Sequence, residues 1–142
     1  MILYVDTSAL VKLYVREVGS AAVRAQSRRA GALATSVVAY AEARAAFARL
    51  KRSGLSTDAR HRQRLHRLDR DWEAMMRVEL TPDVLRTAGD LAEIYGLRGF
   101  DSIHLASALW LSARAPETVE FAVFDTRLGS AASRAGLRIA KG

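Results

Sequence analysis

The chain has 142 residues, half of them apolar and about a quarter charged, which is the composition of one globular domain spanning residues 1–142. It contains no cysteine, which excludes disulfides and thiolate metal sites and leaves oxygen and imidazole as metal donors; no apolar run approaches the ~20 residues of a membrane span, and the first is cut at Asp6, too early for a signal peptide, so a soluble cytoplasmic protein is expected. The 22 basic residues (19 of them Arg) outnumber 15 acids, giving a net charge of +7, and such a surface suits a polyanion, with RNA or DNA the default.

The first five residues, MILYV, are apolar without a break and stop at Asp6. They read as a buried parallel-type strand delivering a carboxylate to the head of a helix that begins at Thr7-Ser8 and carries Leu10, Val11, Leu13 and Tyr14. Gly19-Ser20 breaks the pattern, and a second helical stretch runs from Ala21 to about Ala30, ended by Gly31. ALAT (32–35) reads as a short strand, with Ser36 as N-cap of a helix from Val37 to Arg52. Ser56-Thr57-Asp58 opens the next helix, whose Leu65, Leu68, Trp72 and Met75 or Met76 form one apolar stripe. RVEL (77–80) is a third strand, and Thr81-Pro82 opens a helix to about Tyr95, with Pro at its first position. After the Gly96–Gly99 turn a helix covers Ser102 to Ala113. VEFAVF (119–124) is the fourth strand, Arg127 to Ala135 the last helix, and LRIA (137–140) a short final strand. Strands alternating with helices predict an α/β fold, a three-layer α/β/α domain around a parallel sheet of four to five strands.

Four carboxylates stand out. Asp6 and Asp125 share one grammar, an apolar strand, then Asp-Thr, then a helix, which puts both at the same edge of a parallel sheet. Asp101 opens a helix after a glycine turn. Each of these alone is explained as a helix cap. Glu42 is not, because it sits in VVAYAEARAAFA among Val38, Ala45 and Ala46. A buried Glu needs a partner or a metal; Arg44 or Arg49 could pair with it, or it points into a crevice shared with the three aspartates. Clustered carboxylates resist ionising together, and a divalent cation removes the difficulty. An all-oxygen donor set points to Mg²⁺ or Mn²⁺ rather than zinc, and such ions activate water and neutralise phosphate oxygens.

The strand ending in Asp-Thr-Ser, the Glu in a Val/Ala-rich helix, the GFDSIHLASAL helix start and the closing FDTRL together resemble the PIN-domain family, with the VapC-like toxins of toxin–antitoxin pairs as the closest group. The resemblance spans essentially the whole chain, in order and spacing. It implies a PIN fold, a Mg²⁺- or Mn²⁺-dependent endoribonuclease acting on RNA, a VapB-like antitoxin partner that occupies the active-site groove, and a homodimer. Carried over by position, Asp6, Glu42, Asp101 and Asp125 match the family's acidic quartet, catalytic and metal-holding. Ser8, beside Thr7, matches a small polar hydrogen-bonder behind the metal ligands. One position departs: where many relatives carry Thr or Ser two residues before the last Asp, this chain has Val123, so Asp125 lacks any hydrogen bond that hydroxyl would supply.

Secondary candidates for substrate contact are Arg98, His104 and Lys12. His104, three residues after Asp101, reads first as a hydrogen-bonded helix histidine, and Arg98 equally as a solvated loop residue. The run RHRQRLHRLDR (60–70) reads as a solvated basic helix face or as a track for RNA phosphates. Trp72 and Trp110 read as core. A haloacid-dehalogenase-like phosphatase would need a second Asp where Ser8 stands. A metal-free histidine mechanism would have to use His61, His66 or His104, and a non-catalytic RNA- or partner-binding domain is the reading outside enzymology.

Overall fold

Every residue of the first strand, β1 (Ile2–Val5), is buried, and its side chains divide by alternation. Ile2 and Tyr4 join one hydrophobic core, while Leu3 and Val5 join another. A strand apolar on both faces has to be sandwiched, and β1 is the centre of the sheet. The computed structural model, which describes residues 1–142, adds β2 (Ala32–Ser36), β3 (Met76–Val78), β4 (Val119–Ala122) and β5 (Arg138–Ile139). All neighbours pair in parallel, in the order β3-β2-β1-β4-β5.

Seven helices cover the sheet: α1 (Thr7–Lys12), α2 (Ser20–Arg29), α3 (Val38–Arg52), α4 (Asp58–Ala74), α5 (Pro82–Tyr95), α6 (Gly99–Arg114) and α7 (Thr126–Arg134). On one face Ile2, Tyr4, Val78 and Phe121 pack with Val84 and Leu91 of α5, Leu105 and Leu111 of α6 and Leu128 of α7. On the other, Leu3 and Val5 pack with Leu10, Val23, Phe47 and Leu68 of α1 to α4. Each such buried side chain contributes about 1.5–3 kcal/mol, so the two cores together fix the three layers. The stripe expected on α4 forms, with Leu68 buried and Leu65 and Trp72 partly so; Trp110 likewise packs against the core.

The chain leaves β1 toward β2 on one side and returns to β4 on the other, which makes β1 the switch point of the sheet. The crevice beyond the carboxyl ends of its strands is where an open α/β fold accepts ligands, and Asp6 is the next residue.

Several boundaries differ from expectation. The first helix stops at Lys12, because Leu13 to Val15 turn toward α2. Ser36 ends β2 rather than capping α3; its hydroxyl accepts from the Val38 N–H at 3.3 Å, and the cap position is Val37. α6 starts at Gly99, with Arg98 extended at the cap position, so Asp101 lies in the first turn rather than before it. β3 begins one residue earlier than expected and ends at Val78, and β5 is only Arg138–Ile139. β4 ends at Ala122, two residues before Phe124, a shift that bears on the site.

Candidate active site

Asp6 leaves β1 in an extended conformation and caps α1, its Oδ1 accepting the Ala9 N–H at 2.8 Å. The cap uses one oxygen; the other has no protein partner in hydrogen-bonding range. Asp6 is 4% exposed, and burial raises its pKa above the usual carboxylate range; neighbouring Asp101 pushes the same way, while His104, the Ala9 N–H and Lys12 only partly offset the rise. It forms the floor of a cleft of about 800 Å³ whose walls are the start of α1, the inner face of α3 and the first turns of α6.

Glu42 enters from α3. Its Oε1 accepts from the Thr7 hydroxyl at 2.5 Å, and His104 Nε2 lies 3.4 Å away. Thr7 Oγ1 is also 3.0 Å from His104 Nε2, and the Tyr4 hydroxyl is 2.9 Å from His104 Nδ1. The ionised carboxylate can only accept, so Thr7 gives it its proton and must itself accept from the Nε2–H of His104. Nδ1, on the other side of the ring, pairs with the Tyr4 hydroxyl. One hydrogen-bonded chain thus runs from a fully buried strand tyrosine to a half-buried glutamate on the opposite layer. Burial alone would raise the Glu42 pKa, but the hydrogen bonds from His104 and Thr7, with the imidazole's field, outweigh it and hold the carboxyl below its ordinary value. Burial drives the Tyr4 phenol well upward, so it stays protonated at the head of the chain.

Asp101 faces the cleft from α6, its side chain 22% exposed and its Oδ2 accepting from the exposed Arg98 Nε at 3.2 Å.

The profile of the PIN domain matches residues 3–132 of the chain. The chain belongs to the PIN-domain family. This PIN domain is 41% identical to Ribonuclease VapC45 and to Ribonuclease VapC49 of Mycobacterium tuberculosis, in each case over 98% of this chain and 94% of the relative. It is 34% identical to Ribonuclease VapC46 of the same organism, over 96% of this chain and 95% of the relative. Its fold is similar to the FitAcB crystal structure from Neisseria gonorrhoeae (TM-score 0.68, 17% identity, 99% of this chain and 97% of that one). It is likewise similar to a toxin–antitoxin complex from Klebsiella pneumoniae (TM-score 0.62, 18% identity, 89% and 88% covered).

Of the residues expected at the site, Asp6, Thr7, Ser8, Lys12, Glu42, Arg98, Asp101 and His104 line the PIN-domain cleft. Asp125 does not. Val5 pairs with Ala122, where β4 ends, and Asp125 follows three residues later, beyond the last ladder pair and outside the residues that line the cleft. It is exposed and caps α7 by accepting the Leu128 N–H at 2.8 Å, which is the structural role its Asp-Thr grammar also allowed. Neither Arg44 nor Arg49 pairs with Glu42: Arg44 donates to the Tyr40 hydroxyl at 2.9 Å, and Arg49 faces the cleft without an ion pair. Ser8 is exposed in the cleft and bonds to none of the carboxylates; Thr7 takes that role. His104 is 2% exposed with both ring nitrogens engaged, so it braces the site from beneath and presents no free nitrogen to a substrate. Lys12 is bound to Glu17 at 3.0 Å and lies 4.9 Å over the Phe124 ring.

Among the cleft residues that the sequence did not single out as site residues are Glu17 and Phe100, and Arg49, weighed there only as an ion-pair partner for Glu42, lines the cleft as well. Arg49 lies two helical turns beyond Glu42 on the same face, a spacing visible in the sequence. Phe100 is 55% exposed at the rim, and its place beside Asp101 was its only signal.

As a metal site the cleft has suitable donors in an open arrangement. Asp6, Glu42 and Asp101 each keep one oxygen free of hydrogen bonds, and hard oxygen donors suit Mg²⁺ or Mn²⁺. No three acidic or histidine side chains are gathered to coordinating distance as they lie. Asp101 pairs with Arg98 in an exposed contact worth about 0–1 kcal/mol, too weak to keep its carboxylate from serving as a metal donor.

Proposed function

We propose that this PIN domain is an endoribonuclease that hydrolyses RNA phosphodiester bonds with a divalent metal held by Asp6, Glu42 and Asp101, and that it is the toxin of a VapBC-type pair. The observation that carries the reading is the convergence of three carboxylates from three elements on one cleft of a strongly basic chain, one of them buried at unfavourable cost. Full-length likeness at 41% identity to proteins named ribonuclease VapC supports the activity. PIN-domain ribonucleases in general depend on a divalent metal; Mg²⁺, with Mn²⁺ as substitute, is our choice from the oxygen-only donor set.

When bound, such an ion lowers the pKa of a coordinated water and neutralises phosphate oxygens. The chain's own residues supply the rest. Asp6 is fixed by its bond to Ala9, and Glu42 by Thr7 and His104, so both carboxylates are oriented before substrate arrives. Arg98, exposed at the cleft beside Asp101, would bind a phosphate oxygen. Lys12 and Arg49 extend the positive wall of the cleft. Asp125, outside the cleft, caps α7.

The partner is proposed to be a VapB-like antitoxin, in line with the toxin–antitoxin composition of the Klebsiella structure, and the toxin itself to be a homodimer. No helix is long and apolar enough to cross a membrane, and action in the cytoplasm is the corresponding proposal.

Purified protein incubated with total cellular RNA tests the activity. Discrete products are expected with Mg²⁺ or Mn²⁺, and none with excess chelator or with Asp101→Asn. Cleavage that survives chelation would overturn the metal mechanism; salt-sensitive RNA binding without cleavage would leave a non-catalytic RNA-binding domain in its place.

A further inference from the structure

A second cavity, of about 360 Å³, opens on the α1–α4 side of the sheet and is lined by Arg16, Arg24, Arg60, Arg64, Arg67 and Tyr14. Arg16 follows α1 and Arg24 lies on α2. The other three stand on α4 at spacings of four and three, which places them on one helix face. Five guanidinium groups therefore converge from three parts of the chain.

Their charges are uncompensated. No acidic residue lines the cavity, and none of the five arginines forms an ion pair. The acids nearest in sequence are turned to other partners: Glu17 to Lys12, Asp58 to Lys51, Asp69 to the Tyr40 hydroxyl, and Asp71 to Tyr14 and Arg70. Arg64 is locked in place, its Nε donating to the Tyr14 carbonyl at 3.3 Å and its Nη1 to Ser56 Oγ at 2.7 Å, while Arg67 lies 5.4 Å over the Tyr14 ring. Burial, followed by the fields of Arg60 and Arg67, makes the Arg64 proton easier to lose than usual. Like charges held this way destabilise a helix face unless an anion sits between them, and rigid guanidinium forks match phosphate oxygens two at a time.

The cavity also adjoins the carboxylate cleft. Arg16 lines the one and the next residue, Glu17, lines the other. We propose that the arginine cavity is a phosphate-binding subsite that grips an RNA strand outside the bond being cut; it rests on the ribonuclease reading for the identity of the strand.

The test is binding rather than cleavage. A labelled single-stranded RNA of about twelve nucleotides, long enough to span both cavities at several ångströms per phosphate, is titrated by fluorescence anisotropy in excess chelator at several salt concentrations. Wild type is compared with the double variant Arg24→Gln/Arg60→Gln, neither side chain of which makes a hydrogen bond or ion pair. The charge-matched control is Arg86→Gln/Arg114→Gln on the opposite face, and Arg16→Gln is a second site variant on a separate segment. Circular dichroism melts verify that each is folded.

The site variants are expected to weaken binding about tenfold for the pair and to flatten the slope of log K against log salt by about 0.7 for each phosphate that is no longer neutralised. A weakening no greater than in the control overturns the proposal. Calorimetry with inorganic triphosphate separates the two sources of phosphate: if the site variants cease to bind triphosphate but bind RNA like the control, the cavity serves a small phosphorylated compound and the RNA assignment falls. Because the assay contains no free metal, a chain that binds RNA through these arginines yet cuts none in Mg²⁺ would overturn the nuclease reading and leave this one intact.

Discussion

Asp6 and Glu42 titrate in opposite senses, and the difference tells which of them works against the fold. Burial lifts the Asp6 pKa, so the folded state holds that proton more tightly than the unfolded chain. Stability therefore falls as pH rises through the carboxylate range up to the folded pKa, and ionised Asp6 is a standing cost at neutral pH. Asp6→Asn keeps an oxygen for the Ala9 N–H and removes the charge. It is expected to melt a few degrees higher than wild type without metal at pH 7, a gain that shrinks in acid. Glu42 is the converse: its pKa is lowered against the pull of burial, so its contribution is present above the unfolded pKa and lost as pH falls through the folded one. Glu42→Gln is expected to melt lower than wild type at pH 7 and to converge with it in acid; thermal scans from the acid end of the carboxylate range up to neutrality check both signs. Thr7→Val keeps the shape and deletes two hydrogen bonds to buried or half-buried groups, a cost of about 1–3 kcal/mol, and should raise the Glu42 pKa by NMR titration.

At the scale of elements, the cleft depends on how α1 hands over to α2. Gly19 sits there with φ of +93°, and a Cβ on it would stand 2.6 Å from the Phe124 ring and 3.1 Å from Lys12 Cε. Gly19→Ala combines a left-handed conformation with a clash and is expected to cost about 1–3 kcal/mol, displacing Phe124 and Lys12 at the rim; chemical denaturation measures it. The end of β4 matters in the same way. The sequence reads EFAVF-DT as a strand running to Phe124, because Val123 and Phe124 are apolar, but pairing stops at Ala122. An apolar run signals burial and does not mark the last ladder bond, so Asp125 looks equivalent to Asp6 in sequence and is not in the fold. Asp125→Asn preserves a capping oxygen and should retain both stability and metal response, whereas Asp125→Ala should lose about 1 kcal/mol of cap.

Across the whole molecule, what could be read from sequence was set by periodicity and order. Unbroken apolar strands alternating with helices led directly to the parallel α/β/α sandwich, and the buried glutamate on α3 was visible as an anomaly in an apolar helix. The relations that cross layers were not visible. Nothing in the chain order says that Tyr4, His104, Thr7 and Glu42 form one hydrogen-bonded chain, since its members come from β1, α6, α1 and α3. The arginines of α2 and α4 likewise meet only on folding. The basic run is plain in the sequence; that three of its members share a cavity with Arg16 and Arg24 is a property of the fold.

The proposed nuclease depends on a divalent cation held in the cleft by Asp6, Glu42 and Asp101. Calorimetric titration of Mn²⁺ into metal-free protein, paired with melting curves for wild type, Asp6→Asn and Asp125→Asn, decides whether it does. Saturable binding that raises the melting temperature of wild type, persists in Asp125→Asn and is lost in Asp6→Asn is the predicted result. Equal binding and equal stabilisation in Asp6→Asn would contradict it and move the metal out of this cleft.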